Sequence, residues 1–499
     1  MIQLLRIILA VIAVAVSFPA VASEAMSLKQ VVEVVIANHP DLQINHVDID
    51  IAETETQRIE GTLDPVVSAG VGLSEEQIPT FSDFQASETR AGYISGTISK
   101  PLASGDTLAA AFNYNRISQG FVSPFAAQLA RFNPAYRNQI DVSYRHPFLK
   151  GSDRPDYLQS LIAAQAGITQ AERQQQVIEH VLSLQALNAY YQLVFDGINI
   201  HIAEEAVGRA SKLISYQRTR EKFGLNEKSD RLQAEALLAT RRTNLQRAMA
   251  SRLNDQSALN RLMLRPSDAS IVLERSNEQS INLPTPEHAF KQAEIFRPEL
   301  QVLKAQMEAA EAELAIASDS DQMQLDMVAE LGTRSLDSNA ATAAARGFSS
   351  NDHFVGLSFE LSDVLGRNSV NAAIRKAELQ RQRIEAQRIS TIEQIRDDIS
   401  AAMTTIIAGQ PTLEEARKQV VAERRKFNEE IKRYRGGRSD TATLVQFEGE
   451  LRNAQLNAEL QQLTLQLAWK QLSWAQGRLL YDIGLMNEAG FREKEKRNP

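Results

Sequence analysis

The sequence predicts an α+β membrane protein with an internal two-fold repeat. Long antiparallel coiled-coil helices accompany strands that several copies of the chain contribute to one shared transmembrane β-barrel. Three observations support this prediction. Residues 155–222 and 367–434 show helical apolar spacing with few helix-breaking residues. Each is followed by a short glycine-containing turn and a returning helix, and each is preceded by segments in which apolar and polar residues alternate.

The composition favours long helices over a large globular core. The chain has 499 residues, of which 43% are apolar and only 6% aromatic. The formal net charge is −8, so we expect no nucleic-acid partner. Cysteine is absent, which excludes disulfides, thiolate metal sites and a lipid-modified N-terminal cysteine.

Residues 1–22 have the pattern of a signal peptide. Arg6 precedes the apolar run Ile7 to Val16, and Ala20-Val21-Ala22 is a small-residue cleavage site. A retained membrane anchor is the alternative, but the run is well short of the ~20 residues that a spanning helix needs. We therefore expect an exported protein whose mature chain begins near Ser23.

Residues 23–265 form the first predicted repeat. Ser27 to Glu60 is expected to be helical, with Ser27 as its cap and a break at Pro40. Residues 155–222 follow as the first long helix, with heptad spacing typical of coiled coils. Between them lie four alternating segments, around Val67 to Leu73, Ile94 to Ile98, Leu108 to Tyr114 and Ile140 to Phe148.

Residues 266–286 contain three prolines and are predicted to be a linker. Residues 287–485 form the second predicted repeat, in which Pro298 takes the place of Pro40. The remaining predicted features are strands at 323–331 and 355–361, the second long helix at 367–434 with a kink near Pro411, a return helix at 440–482, and a charged tail at 486–499.

The strands have one apolar and one polar face, which is typical of a barrel in lipid. Too few lie in one chain to close a barrel, and an open sheet edge in lipid costs several kcal/mol for each unpaired backbone group. Several copies are therefore expected to share one barrel. A soluble β-subdomain with one solvated face is the alternative, but it gives no reason for helices on the order of 100 Å long.

The chain resembles the TolC-type outer membrane factors, which are exit ducts of Gram-negative efflux pumps and type I secretion systems. The similarity runs from Ser27 to about Leu485. It is carried by the opening SLKQVVEVVIANHPDL, by HPFLKG at 146–151, and by two polar turns. The first turn, GLNEKSD at 224–230, is similar to the family's G-L-x-x-x-[ST]-D. The second turn, YRGG at 434–437 followed by TLV at 443–445, is similar to the tip of the family's second repeat.

The resemblance implies an outer-membrane homotrimer that contacts outer membrane lipid and projects a tunnel into the periplasm. Its helices would form an α-barrel. Its partners would be a periplasmic adaptor (a membrane fusion protein) and an inner-membrane pump or ABC transporter. The rival hypothesis is a periplasmic coiled-coil adaptor or scaffold without a channel. In the family each chain usually contributes four strands, whereas this sequence offers six.

The resemblance also implies a periplasmic gate at the tips of the two helix hairpins. It pairs an acid, here Asp230, with a tyrosine, here Tyr434, and with an arginine whose position reads Ser439 beside Arg438. Asp230 as an ordinary cap or first-turn acid is the alternative. Acids that line the family's entrance are replaced here, although Glu448 and Glu450 lie a turn further on. The full set of candidate gate residues is Gly224, Leu225, Ser229, Asp230, Tyr434, Gly437, Arg438 and Ser439.

The sequence contains no pattern typical of an enzyme. A serine elbow, an HExxH motif and a P-loop are all missing, and Gly70-x-Gly72 lacks the third glycine of a nucleotide loop. The seven histidines do not have metal-ligand spacing. We therefore expect no catalytic residues, no metal site and no cofactor.

Overall fold

A computed structural model describes residues 25–224, 227–275, 282–349 and 352–486. The predicted signal peptide, Leu225, and the tail after Met486 lie outside these residues. The helices are α1 (Leu28–Asn38), α2 (Pro40–Glu60), α3 (Pro124–Leu129), α4 (Pro155–Lys222), α5 (Lys228–Leu262), α6 (Pro286–Phe296), α7 (Pro298–Asp319), α8 (Ala340–Arg346), α9 (Asn368–Arg435), α10 (Thr441–Ala475) and α11 (Leu479–Asp482). The strands are β1 (Val66–Gln77), β2 (Ala86–Pro101), β3 (Thr107–Phe121), β4 (Ala135–Pro147), β5 (Gln324–Asp337) and β6 (His353–Ser362).

Helix lengths agree between the two halves of the chain. The long helices α4 and α9 each have 68 residues, and the returning helices α5 and α10 each have 35. The short helices α1 and α6 each have 11 residues. A proline begins the helix that follows in both halves, as predicted, because Pro40 and Pro298 disfavour helical geometry in the residue before them.

Side-chain caps begin both short helices. At α1, Ser27 and Gln30 form a complete capping box. At α6, the Thr285 hydroxyl accepts a hydrogen bond from the amide of His288 at 3.3 Å. Each cap satisfies a backbone N–H that would otherwise have no partner at the helix start.

The chain divides into two compact units. The helical unit comprises the described parts of Met1–Asn45, Gln174–Leu300 and Ser390–Pro499, and the strand unit comprises His46–Arg173 and Gln301–Ile389. Apolar cores stabilise the helical unit, and the two largest lie around the short helices α1 and α6. In the first, Val31, Val32 and Val35 of α1 pack against buried residues of α4 such as Leu187. In the second, alanines of α6 pack against α9 and α10.

The strand unit contains a single six-stranded sheet in the order β1 to β6, and every neighbouring pair is antiparallel. All six predicted strands are present. The additional hairpin of the first half therefore joins the same sheet. The short helices α3 and α8, in the connections between strands, were not predicted because segments of six or seven residues carry too little periodicity to detect.

The return helix was predicted to span 440–482, and the predicted end of this helix is wrong. Helix α10 ends at Ala475, and a separate short helix, α11, follows it. The cause is Gly477, whose φ of +72° lies in the left-handed region that terminates helices. A kink was predicted near Pro411, but helix α9 continues without interruption through that residue.

Among the described helices, none has a stretch both long enough and apolar enough to cross a lipid bilayer.

Candidate functional site: the two helix tips

Each hairpin tip turns at a glycine with the same backbone conformation. Gly224 follows α4 and Gly437 follows α9, and both have a φ of +67°. A left-handed residue ends a helix without steric cost only when it is glycine. Both predicted tip glycines therefore have a backbone role.

The second tip is closed by a side-chain cap. Asp440 precedes α10, and its carboxylate accepts a hydrogen bond from the amide of Thr443 at 2.7 Å. This bond is the main reason that the pKa of Asp440 is lowered. At the first tip the corresponding position is Glu227, which makes no side-chain cap.

A polar network joins the two tips within a single chain. The Thr441 hydroxyl donates to Asp230 Oδ1 at 2.6 Å and lies 2.9 Å from the Tyr434 hydroxyl. The Gln217 amide donates to Thr441 Oγ1 at 2.7 Å and also to Tyr434. The four residues come from α4, α5, α9 and α10, so one cluster ties together both hairpins. We call it the tip network.

The tip network is shielded from water and carries little charge. Tyr434 is 4% exposed, and Gln217 and Thr441 are also buried. Burial raises the pKa of Tyr434, so its hydroxyl stays protonated at neutral pH. Asp230 is the one ionisable carboxylate among the four residues, and it lies at the half-buried edge of the network.

Apolar packing supports the network from one side. Tyr434 belongs to a small core with Phe427, Leu444 and Leu451. The Tyr216 ring lies 5.7 Å from the Tyr434 ring, centroid to centroid. A cavity of about 150 Å³ adjoins these residues. The tyrosine is therefore held by packing as well as by hydrogen bonds.

The remaining predicted gate residues are located outside the network. The Ser229 hydroxyl donates to Glu227 at 3.3 Å, within its own turn. Ser439 donates to the buried carboxylate of Glu430. Arg438 is exposed, and its amide donates to the carbonyl of Arg433 at 2.9 Å.

The sequence did not reveal Gln217 or Thr441 as members of the site. Thr441 follows the cap residue Asp440 and looks like an ordinary first-turn threonine, and Gln217 is one of many polar residues on α4. Their positions relative to the two turns could have identified them. Gln217 lies two turns before the first tip glycine, and Thr441 directly follows the second turn, so both occur near the level of Asp230.

Glu448 cannot serve as an acid lining a water-filled entrance, because it is only 3% exposed. Its carboxylate accepts hydrogen bonds from Arg209 Nε at 3.2 Å and from Arg241 Nε at 2.9 Å. Glu450 is paired with Lys426 and Gln446. Glu448 therefore forms structural ion pairs that join α10 to α4 and α5.

Part of the second half of the chain matches a known protein family. Residues 289–478 match the model of the outer membrane efflux protein family. A search of curated protein sequences gave no significant match. The resemblance to TolC-type channels is confirmed, and so is the predicted outer-membrane location.

Solved structures show that the fold extends beyond the matched region. The outer-membrane channel OprN has a TM-score of 0.68 at 16% identity and covers 90% of both chains. VceC from Vibrio cholerae has a TM-score of 0.66 at 17% identity, covering 90% of this chain and 96% of its own. MtrE of Neisseria gonorrhoeae, solved in an open state, has a TM-score of 0.58 at 16% identity and covers 91% of this chain and 89% of its own.

Proposed function

We propose that this efflux protein is a homotrimeric channel-tunnel, the exit duct of a tripartite efflux pump or a type I secretion system. The strands of three copies form one transmembrane β-barrel. The helical hairpins form an α-barrel in the periplasm, where a periplasmic adaptor and an inner-membrane pump or ABC transporter engage the tips. The matching helix lengths of the two halves support an internal two-fold repeat.

The sheet is the observation that carries the proposal. One of its faces presents exposed apolar side chains, such as Val71 at 78% and Val355 at 74%. The opposite face of the same strands carries serine, glycine and glutamate residues. An antiparallel sheet with these two faces suits lipid outside and water inside, and closure with other copies removes its edges.

The tip network provides a way to hold the periplasmic end closed. Hydrogen bonds between neutral groups contribute about 1 kcal/mol each, and the bond to the Asp230 carboxylate contributes roughly 2 kcal/mol. To separate the hairpins, an adaptor must break the bonds around Thr441 in each chain. Three copies together hold the channel closed. An adaptor that binds the open state more tightly than the closed state, by a few kcal/mol per chain, can open it.

The rival adaptor function is not favoured by the topology. An adaptor should carry a lipoyl-like sheet between the two halves of one helical hairpin. Here α4 is joined to α5 by a short turn, as α9 is to α10. Strands β1 to β4 precede α4, and β5 and β6 precede α9, so no strand lies between the two helices of a hairpin. The strands therefore occupy positions suited to a membrane barrel.

The gate is tested with Thr441→Val, which removes the hydroxyl at the centre of the tip network and keeps the side-chain volume similar. The other three helices of the tip network, α4, α5 and α9, then lose their hydrogen bonds to Thr441 of α10. We expect the variant to form trimers in the outer membrane at wild-type yield and to show a several-fold higher single-channel conductance in planar bilayers.

The matched control is Thr219→Val near the end of α4, because among the described residues that hydroxyl donates to the Ser215 carbonyl of its own helix and not to another hairpin. It should conduct like the wild type. Equal conductance of Thr441→Val and wild type would remove the tip network from the gate. Monomers in the soluble periplasm would contradict the channel itself.

A further inference from the structure

The sheet contains six strands, two more than the usual four-stranded contribution of the family. The first half of the chain supplies four of them, and its central hairpin, β2–β3, is paired over its whole length. Strand β2 pairs with β3 from Pro101↔Thr107 to Ala86↔Phe121, with one irregularity near the end. Strand β2 also pairs with β1 over 12 residue pairs, and β3 pairs with β4 over 11. All four strands of the first half are therefore integral to the sheet.

The faces of these strands continue those of their neighbours. The register places Val67, Ile98, Ala110, Val142, Leu331 and Val355 in one row across all six strands. Every residue in the row is apolar. The adjacent row on the opposite face begins with Ser68, Thr97 and Ala111. A lipid-facing band thus crosses the sheet from β1 to β6 without a break.

The β2–β3 turn is anchored to the start of α4. Asp106 accepts a hydrogen bond from the Ser104 hydroxyl and lies 2.6 Å from His146 Nδ1. The amide of Asp153 donates to the Ser104 carbonyl at 3.1 Å. Gly105, with a φ of +94°, lies so close to the Gly151 carbonyl that a Cβ would approach its oxygen to 2.4 Å. The turn therefore packs against the HPFLKG junction as a fixed part of the unit.

The first and last hairpins share one construction detail. The Tyr93 ring of β2 lies over Gly72 of β1, where a Cβ would come within 2.3 Å of the ring. The Phe354 ring of β6 lies over Gly332 of β5 in the same way, at 2.6 Å. Aromatic cover of a strand glycine stabilises a hairpin near a sheet edge. Both β1–β2 and β5–β6 are thus built as terminal hairpins of one sheet.

Within the described residues, the outer edges of β1 and β6 pair with no other strand. Both edge strands expose apolar side chains, including Leu73 at 91% and Leu361 at 66%. Backbone groups unpaired in lipid are too costly to persist. The occupant that fits both edges is a second copy of this chain, because β1 and β6 are opposite ends of an all-antiparallel six-stranded sheet and supply complementary edges.

We infer that β1 of each copy pairs with β6 of the next, so that three copies close a barrel of eighteen strands. This inference rests on the proposed trimeric channel and adds a prediction of how wide its barrel is. Four strands per copy would give twelve. Since barrel diameter grows roughly linearly with strand number, the lumen is about one and a half times as wide, in the range where porins hold an open aqueous channel.

The central hairpin of the first half also determines what lines the widened lumen. The polar face of β2 and β3 carries mainly small neutral residues, among them Ser95, Thr97, Ala111 and Asn113. The charged residues of that face, such as Asp141, Glu330 and Glu360, lie on other strands. The β2–β3 hairpin therefore contributes width to the exit without charge, which suits bulky polar cargo.

The test uses cysteine pairs, which are unambiguous because the natural chain has no cysteine. The edge pairs combine Ser68→Cys or Ser74→Cys on β1 with Ser358→Cys or Ser362→Cys on β6, so that several registers are sampled. The inner pair combines Asn113→Cys on β3 with Ser358→Cys. Outer membranes are treated with a short bifunctional thiol reagent and analysed on denaturing gels, with each single-cysteine variant as a control.

We expect at least one edge pair to yield covalent trimers and the inner pair to yield none. In the eighteen-stranded barrel, β3 lies three strands, or roughly 14 Å, from the neighbouring β6. Covalent trimers from the inner pair alone would mean four barrel strands per copy, which overturns this inference and leaves the trimer intact. An absence of trimers from all edge pairs, with trimers still captured by an amine-reactive reagent, would also overturn it. Monomers with both reagents would overturn the proposed function.

Discussion

At the scale of single residues, Glu448 is a buried charge held between two arginines. Its side chain is 3% exposed and lies between Arg209 and Arg241, whose side chains are 20% and 11% exposed. Arg452 lies nearby, and burial, together with the neighbouring arginines, lowers its pKa. Glu448 is the carboxylate that Arg209 and Arg241 share, and it makes their burial tolerable.

We predict that Glu448→Gln destabilises the helical hairpins by about 3–5 kcal/mol, because it removes the carboxylate that pairs with the partly buried Arg241 and leaves Arg209 with Glu205 alone. The apparent melting temperature, followed by circular dichroism at a fixed heating rate, measures the effect. Glu450→Gln is the matched control on the same helix. Its half-exposed pair with Lys426 should contribute less, and an equal loss in both variants would contradict a special role for Glu448.

A second buried acid, Asp196 on α4, is held next to Asp255 on α5. Asp196 is 2% exposed, and the Ser251 hydroxyl lies 3.5 Å from its Oδ1. Burial, together with the hydrogen-bonded carboxyl of Asp255, raises the pKa of Asp196 to about 7, although Arg252 partly opposes the shift. Asp196 therefore retains its proton in the folded chain at pH values where it is ionised in the unfolded chain.

This difference predicts a pH dependence of stability with a definite sign. The folded pKa is about 7 and the ordinary value is 3.8. The stabilising contribution is complete below the ordinary value and is lost as pH rises through the folded value. Melting curves between pH 5 and pH 8 should show a smaller decrease for Asp196→Asn than for wild type. Asp255→Asn should reduce the decrease only in part, because burial is the larger cause, and parallel curves for all three proteins would refute the shift.

At the scale of elements, the sequence predicted where the long helices lie more accurately than where each helix ends. Residues 155–222 were predicted as α4 with the bounds that the structure has, because the stretch lies between a proline and a glycine turn. The end of α10 was missed because Leu472 and Leu479 continue the heptad spacing past Ala475. The spacing records which face is buried and contains no information about the contact that stops the helix.

That contact is between Gly477 and the backbone of Phe296. A Cβ at Gly477 would lie 2.7 Å from the Phe296 carbonyl atoms, whereas a Cβ at Gly437, also left-handed, would meet nothing within 4 Å. We predict that Gly437→Ala costs about 1 kcal/mol from backbone strain alone. Gly477→Ala should cost considerably more, because backbone atoms must also move. Equal melting temperatures for the two variants would show that the close approach is relieved at no cost.

The candidate site was predictable in part, for a similar reason. Tyr434 and Asp230 were identified from the resemblance, and the structure places both in the tip network. The bond between them runs through Thr441, and that link depends on how two helices pack against two others. Periodicity within one helix cannot specify such a contact. The predicted role of Arg438 at the gate remains a prediction for the assembled trimer.

At the scale of the whole molecule, the chemistry of the tip network has a consequence for the channel's surroundings. Three of its four side chains are uncharged, and the arginine position of the family is Ser439, bonded to Glu430. Exposed ion pairs weaken as dissolved salt screens them, over a distance of about 8 Å at physiological ionic strength. Buried hydroxyl and amide contacts are nearly insensitive to salt. We therefore expect the proposed gate to stay closed in concentrated salt as in dilute buffer, and to open when a partner protein separates the hairpins.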